Sequence, residues 1–218
     1  MLNIAIDGPA GAGKSTVAKA IAARLGITYL DTGAMYRAVA LYALDNSISP
    51  EDEKSVVAVL DKIRIEIKYS EGTQVVYLNG EDVSLRIREN RMSKAASDIS
   101  KIPAVRLKLV EMQRAIAAGT DVVMDGRDIG SYVLPDANYK FFLTASPAVR
   151  AKRRFDELTA KGEKVNYDDI LGDIEKRDRN DSTRAFAPLR KTDDAEEIDS
   201  SALSAEEVVG LILEKIDV

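Results

Sequence analysis

Apolar positions along this chain fall into short runs and two distinct periods. Leu2 to Ile6 is an apolar run closing on Asp7, the pattern of a short buried strand. Thr16 to Leu25 then reads as an amphipathic helix, which Gly26 closes. Ile27 to Leu30 gives a second strand ending at Asp31, and a helix is predicted from about Gly33 to Leu44 with Thr32 as its candidate N-cap. Ser49-Pro50-Glu51 opens another predicted helix, with Pro50 at its first position. The period then drops to two: Ile63, Ile65, Ile67 and Tyr69 alternate with Arg64, Glu66 and Lys68. Glu71-Gly72 reads as a turn, Val75 to Leu78 as a returning strand and Asn79-Gly80 as a second turn, so a small antiparallel meander is set into the α/β pattern. Arg91 to Ser100 is helical in pattern, and Pro103 starts a longer helix running to about Ala118, with Gly119 as its stop. Asp121 to Met124 is an apolar strand closing on Asp125, and Tyr139 to Leu143 is a further one. Ser146-Pro147 caps and starts a helix that Gly162 ends; Tyr167 starts the next. Ala195 to Ile198 is the last predicted strand. Ser204 with Glu207 then forms a capping box for a helix burying Val208, Leu211, Ile212 and Ile216.

Between the first strand and the first helix lies Gly8-Pro9-Ala10-Gly11-Ala12-Gly13-Lys14-Ser15-Thr16, which fits G-x-x-x-x-G-K-[ST]. Strand, glycine-rich turn and helix in that order are the context a phosphate-binding loop (P-loop) requires. Glycines let the backbone wrap closely enough for its N–H groups to face phosphate oxygens, and the helix start adds unpaired donors and positive potential. Lys14 can reach the outer phosphates and Ser15 can offer a hydroxyl to a magnesium ion. Asp125, at the end of an apolar strand, resembles a Walker B carboxylate, a second group for magnesium. The expected fold is therefore α/β: a P-loop NTPase-type parallel sheet flanked by helices, with a small antiparallel β insert and a helical lid.

Composition narrows the chemistry. The 218 residues are 45% hydrophobic, enough for one α/β domain with a real core. The formal net charge of −5 argues against a general nucleic-acid binder, and arginines clustered in an acidic chain point to a specific anionic ligand. Cysteine and histidine are both absent, which removes disulfides, thiolate chemistry, zinc–cysteine sites and histidine triads. No apolar run reaches the length of a membrane span and no signal peptide is read ahead of the first strand; a soluble cytoplasmic protein, expected as a monomer with no membrane or nucleic-acid partner, follows.

The arginines sit where α/β folds place ligands. Thr32 and Tyr36 share a helix face beside Arg37, just after a strand end. A cation near a helix N-terminus is disfavoured unless an anion offsets it. Arg127 and Asp128 follow Asp125-Gly126 at another strand's C-terminal end. Ser97 lies late in one predicted helix and Arg106 in the first turn of the next. Arg150, Arg153 and Arg154 fall on roughly one helical face, and Arg177, Asp181 and Arg184 are spaced i, i+4 and i+7. The charged stretch from Ala148 to Leu189 suits a mobile flap better than a core element. Phosphoryl transfer runs on positioning and charge stabilisation, so it needs neither histidine nor cysteine. Surplus arginines favour an acceptor that is itself a phosphate, since they hold two anions together. A nucleoside monophosphate kinase is the leading reading from residues alone. Its rivals are a P-loop kinase for UMP or another small phosphorylated acceptor, and a triphosphate-binding switch protein. The N-K-x-D sequence expected of a GTPase switch is absent.

Over its whole length the chain resembles the bacterial cytidylate kinases, through IDGPAGAGKST (Ile6–Thr16), LDTGAMYR (Leu30–Arg37), the meander, AASDISKIPAVR (Ala95–Arg106), DGRDIG (Asp125–Gly130), PDA (Pro135–Ala137) and RDRNDSTRAFAPL (Arg177–Leu189). The resemblance implies transfer of the γ-phosphoryl group of ATP to CMP or dCMP with magnesium. It implies one kinase domain over 1–218, with a monophosphate-binding insert at about 61–100 and a lid at about 150–188. It also implies roles. Ser97, Arg106 and Asp128 would read cytosine, and Asp181 and Arg177 would hold the sugar. Arg37, Arg127 and Arg184 would grip the acceptor phosphate, with Thr32 and Tyr36 lining its pocket. Lys14, Arg127, Arg177 and Arg184 would act on the transferring group. The loop from Gly8 to Thr16 would bind ATP together with one of the arginines 150, 153 and 154, of which Arg154 is taken.

Overall fold

A computed structural model describes residues 1–70 and 73–216. In chain order the elements are β1 (Asn3–Asp7), α1 (Lys14–Leu25), β2 (Thr28–Asp31), α2 (Thr32–Asp45), α3 (Glu53–Val59), β3 (Ile65–Ser70), β4 (Thr73–Leu78), β5 (Glu81–Asp82), α4 (Arg91–Ile99), α5 (Pro103–Ala117), β6 (Val122–Gly126), β7 (Tyr139–Thr144), α6 (Pro147–Ala160), α7 (Tyr167–Thr183), β8 (Glu196–Asp199) and α8 (Ala205–Leu213). They form two compact units: Met1–Ile27 with the chain from Asp121 onward, and Thr28–Thr120. No helix among the described residues is long and apolar enough to cross a membrane.

In the first unit, strands of the parallel sheet stand in the order β6-β1-β7-β8. Ile6 pairs with Asp125 and Asp7 with Gly126, so Asp7 and Asp125 stand one register step apart at the ends of adjacent strands. Ile4, Ala5, Ile6, Val122, Val123 and Met124 are fully buried, as expected of central parallel strands covered on both faces. α1 turns Val17, Ala18 and Ile21 inward and packs on α8, whose Val208, Val209 and Ile212 complete the layer. The predicted capping box is present: Ser204 Oγ accepts from the Glu207 N–H, and the Glu207 carboxylate accepts from Ser204 N.

In the second unit, α2 is the hub. It buries Met35, Ala38, Val39 and Leu41 and packs against α4, α5 and β4. The meander pairs β3 with β4 and β4 with β5, all antiparallel. Asn79 and Gly80, at φ of 51° and 88°, make the tight second turn. The expected turn at Glu71-Gly72 lies outside the described residues.

Two helix starts differ from expectation. The N-cap of α2 is Asp31 rather than Thr32: the Asp31 Oδ1 accepts from the Ala34 N–H at 2.9 Å, which draws Thr32 into the helix. The helix expected to open at Pro50 begins at Glu53, because Asp52 caps it by accepting from Ser55 N at 3.2 Å. In both places two polar residues compete, and the carboxylate that reaches the N3 donor wins.

Candidate active site

The loop from Gly8 to Gly13 leaves β1 under tight steric control. Gly8 has φ of 148°, and a Cβ there would fall 1.9 Å from the Leu143 carbonyl oxygen, so only glycine lets the loop pass β7. Gly13, at φ of 92°, turns the chain into α1 with a left-handed step. Lys14 is buried at 5% exposure, its Nζ donating to the Pro9 carbonyl at 2.7 Å inside the loop's curve. Ser15 and Thr16 are exposed at the helix start, where there is no acidic side chain in the first turn. Such a terminus accepts anions. Beside it lies a cavity of about 300 Å³, lined by Gly13, Thr16, Arg153, Ser200, Leu203 and Val208 among others.

Lys14 sits in a dense field of charge. Burial and the Arg127 guanidinium push its ammonium well below the ordinary lysine range, with Arg177 adding to this and Asp125 and Asp7 opposing it. Asp125 is buried at the end of β6, within electrostatic reach of Lys14. Among the described residues no group of three acidic side chains could chelate a metal alone. Asp125 and the Ser15 hydroxyl are the kind of sparse oxygen set that magnesium accepts when phosphate oxygens supply the remainder.

Five of the expected residues, Arg127, Asp128, Arg177, Asp181 and Arg184, gather in one charged network. Arg127 Nε donates to Asp181 Oδ2 at 2.9 Å, with 19% and 8% of the two side chains exposed. Burial raises the Asp181 carboxyl, but Arg127, Arg177 and Arg184 together hold it below the ordinary carboxylate range. Arg184 lies 3.3 Å from Asp128 and donates from Nε to the Ala187 carbonyl. Arg177 and Asp181, one helical turn apart on α7, contribute from one helix.

The arginines of α6 do not share one destination. Arg150 is 2% exposed and donates to the carbonyls of Ala145 (2.8 Å) and Ala10 (3.0 Å) and to Asp178 of α7. It braces the loop from within, and Gly11 leaves room for it, since a Cβ at Gly11 would sit 3.2 Å from Arg150 Cβ. Arg153 lines the cavity beside the loop and donates to Ser200. Arg154 pairs with Glu157 on its own helix at 2.7 Å. The expectation of a common face thus fails: helical spacing fixes direction about the axis, but Arg150 points into the interior.

The second unit brings its own expected residues together. The Arg106 guanidinium, 1% exposed, lies over the Tyr36 ring at 5.7 Å from the centroid and donates to the Ser100 carbonyl. Ser100 Oγ in turn donates to the Ser97 carbonyl at 2.8 Å. Thr32 is buried in the first turn of α2. Arg37 donates to Asp31 Oδ2 at 2.8 Å, so one carboxylate both caps α2 and aims this arginine. Asp31 is held from the meander: its N–H donates to Gln74 Oε1 at 2.7 Å, and Gln74 itself is buried.

Sequence reasoning passed over Asp7, Asp31, Gln74 and Asp178. The one available signal was that β1, β2 and β6 each close an apolar run with Asp at the strand's C-terminal end. Asp7 accepts from the N–H groups of Ile129 (2.8 Å) and Gly130 (2.7 Å). Burial pushes its carboxyl up to about 6 against those two bonds, with Asp128 adding repulsion and Lys14 attraction.

A parallel α/β sheet whose first strand runs through a glycine loop into a helix, with arginines from α7 and the β6 end meeting a buried P-loop lysine, defines a P-loop nucleotide-binding protein of the kinase type. Solved structures agree on the fold. An uncharacterised protein from Eubacterium ventriosum aligns at a TM-score of 0.53 with 18% identity, covering 99% of this chain and 98% of that one. A gluconokinase from Sinorhizobium meliloti aligns at 0.50 with 14% identity, covering 98% and 90%. The family follows from sequence. The cytidylate kinase family model matches residues 4–218. The cytidylate kinase of Caldicellulosiruptor bescii is 56% identical over 213 residues, spanning 98% of this chain and 94% of the relative. That of Lactobacillus johnsonii is 51% identical over 216 residues, spanning 99% and 94%. The chain belongs to the cytidylate kinase family.

Proposed function

We propose that this chain transfers the γ-phosphoryl group of ATP to CMP or dCMP, yielding ADP and CDP or dCDP. Family membership along nearly the whole chain names the reaction. The observation that carries it physically is the meeting of Lys14, Arg127 and Arg177 in one electrostatic field at the P-loop. Phosphoryl transfer asks for cations around the migrating group and for little else from the protein.

In this reading the backbone from Gly8 to Thr16 and Lys14 hold the triphosphate, and the neighbouring cavity with Arg153 takes the nucleoside end of ATP. Arg154, one-third exposed, remains the arginine of α6 that a closing lid would bring to ATP. Ser15 and Asp125 would hold magnesium, whose charge neutralises the β- and γ-oxygens when bound. Arg37, Arg127 and Arg184 grip the acceptor phosphate, Arg177 and Asp181 the sugar, and Thr32 and Tyr36 line the acceptor pocket. Ser97, Arg106 and Asp128 read the base. Cytosine offers an exocyclic amino donor that the Asp128 carboxylate accepts, whereas uracil presents a carbonyl and sets acceptor against acceptor. Residues of about 61–100 act as the monophosphate-binding lobe and those of about 150–188 as the lid. The chain is read here as acting as a monomer.

The test is a panel of CMP, dCMP, UMP and AMP assayed with ATP and magnesium. CMP and dCMP should be turned over with the highest kcat/KM. ATP hydrolysis indifferent to added CMP, or UMP preferred, would refute the reading.

A further inference from the structure

Asp7 is a buried carboxylate that the phosphoryl-transfer chemistry does not use. It stands at the last position of β1, immediately before Gly8, and so joins the phosphate loop by its own chain. Its side chain reaches across to the neighbouring segment: Oδ1 accepts from Ile129 N and Oδ2 from Gly130 N. These are the first two N–H groups of a π-helical turn, Ile129–Val133, in which the Tyr132 and Val133 N–H groups both donate to the Asp128 carbonyl and Leu134 N donates to Ile129 O. A helix start leaves its first donors without partners inside the turn. Asp7 satisfies two of them from 122 and 123 residues away in sequence. Gly130 fits the arrangement, because a Cβ there would lie 3.2 Å from Lys140 Cδ and 3.5 Å from Asp7 Oδ2. The turn begins one residue after Asp128 and two after Arg127, so its orientation sets theirs.

We propose that Asp7 is a positioning residue that pins the Arg127–Gly130 segment to the base of the phosphate loop and so sets acceptor recognition. The proposal rests on the reading of CMP as the acceptor and of Asp128 as its base reader. The two carboxylate oxygens are committed to backbone donors, so Asp7 acts through Asp128 and Arg127 rather than on a nucleotide. Lys14 donates its hydrogen bond to the Pro9 carbonyl, and Asp7 reaches it only through charge, so this tie makes no direct contact with the group that holds the triphosphate.

The test is Asp7→Asn. An amide keeps one acceptor and turns a donor toward the second N–H, leaving a buried donor unmatched. The CMP-to-UMP ratio of kcat/KM should fall by ~10-fold or more and the KM for CMP rise by ~5-fold or more, while the KM for ATP stays within ~2-fold, a split that general loss of packing does not produce. Asp7→Ser, which keeps a single small acceptor, carries the same expectation where the amide variant does not fold. In the unaltered protein the Ile129 and Gly130 amides should exchange with solvent at least ~100-fold slower than unstructured amides. An unchanged acceptor ratio, equal rises in both KM values, or rapid exchange of those two amides overturns the proposal. A wild-type chain inactive on CMP refutes the proposed function instead. A wild-type chain active on CMP beside an Asp7→Asn chain of unchanged selectivity refutes this inference alone.

Discussion

Replacing Asp181 by Asn removes the carboxylate on which three arginines bear. Arg127 Nε lies 2.9 Å from Asp181 Oδ2, and Arg177 and Arg184 act on the same group. Breaking a buried ion pair by deleting one partner costs about 3–5 kcal/mol, because the remaining charge is left in a poorly solvated place. Arg127 retains 19% of its side-chain exposure, so water recovers part of that loss, and the expected destabilisation is about 2–4 kcal/mol. For a chain of this length that is a fall in Tm of about 5–15 °C. The informative assay adds an anion. With their counter-charge gone, the three guanidinium groups should bind inorganic phosphate more tightly, and a ligand of the folded state alone stabilises as RT ln(1 + [L]/Kd). Thermal unfolding with and without about 50 mM phosphate should therefore show a larger upward shift in Asp181→Asn than in the wild type. A variant as stable as the wild type, or equal phosphate shifts in both, would refute the argument that Asp181 neutralises this cluster.

The remaining expectations concern other groups of the same unit. Lys14→Ala should lower turnover by at least ~10³, the scale of losing a key charge on the transferring phosphoryl group; near-normal turnover in steady-state assays would remove that role. Asp128→Asn should relax the preference for CMP over UMP by roughly 1–3 kcal/mol, read as the ratio of kcat/KM values, and an unchanged ratio would take Asp128 out of base reading. The Asp7 carboxyl, at about 6 in the folded chain against an ordinary 3.8, binds more proton folded than unfolded between those values, so its contribution to stability falls as pH rises through them. With Lys14, Asp128 and the two amides as its surroundings, the wild type should lose about 3 kcal/mol relative to Asp7→Asn between pH ~3.5 and ~6.5. Denaturant titrations across that range check it, and a pH-independent difference would contradict it.

What was legible in the sequence was what local chemistry decides. The phosphate loop could be read because glycine spacing, a preceding apolar run and a following helix all act within some two dozen residues. The capping box at Ser204 and Glu207 was legible for the same reason. The choice between Asp31 and Thr32 as N-cap was not, since both are competent and only the geometry after β2 favours the carboxylate. Arg150 was misread because periodicity gives a side chain's direction about its helix but not what that face meets, here the Ala10 carbonyl and Asp178. The π turn after Asp128 had no local signal, as its first donors are satisfied by a residue from the first strand. The pairing of Arg106 with Tyr36 likewise joins elements seventy positions apart.

A net charge of −5 and a set of arginines proposed to hold anions look contradictory until the partners are traced. Arg127 faces Asp181, Arg184 faces Asp128, Arg150 holds Asp178 and Arg37 holds Asp31. Each guanidinium meets a carboxylate within its own unit. This has two consequences. Burying several guanidinium groups without such partners would cost far more than packing returns, so the carboxylates are what let the cluster fold. The pairing also fixes the planar forks before an anion arrives, so less side-chain freedom is lost when phosphate oxygens bind. In the role proposed for Arg37, Arg127 and Arg184, a substrate phosphate would have to offer more than the carboxylate it competes with, and a doubly charged group accepting several donors would do so where a monovalent anion would not. On the proposed roles, selectivity for phosphate over chloride or acetate would follow from that difference, and the acidic composition would be a condition of the site rather than an obstacle to it.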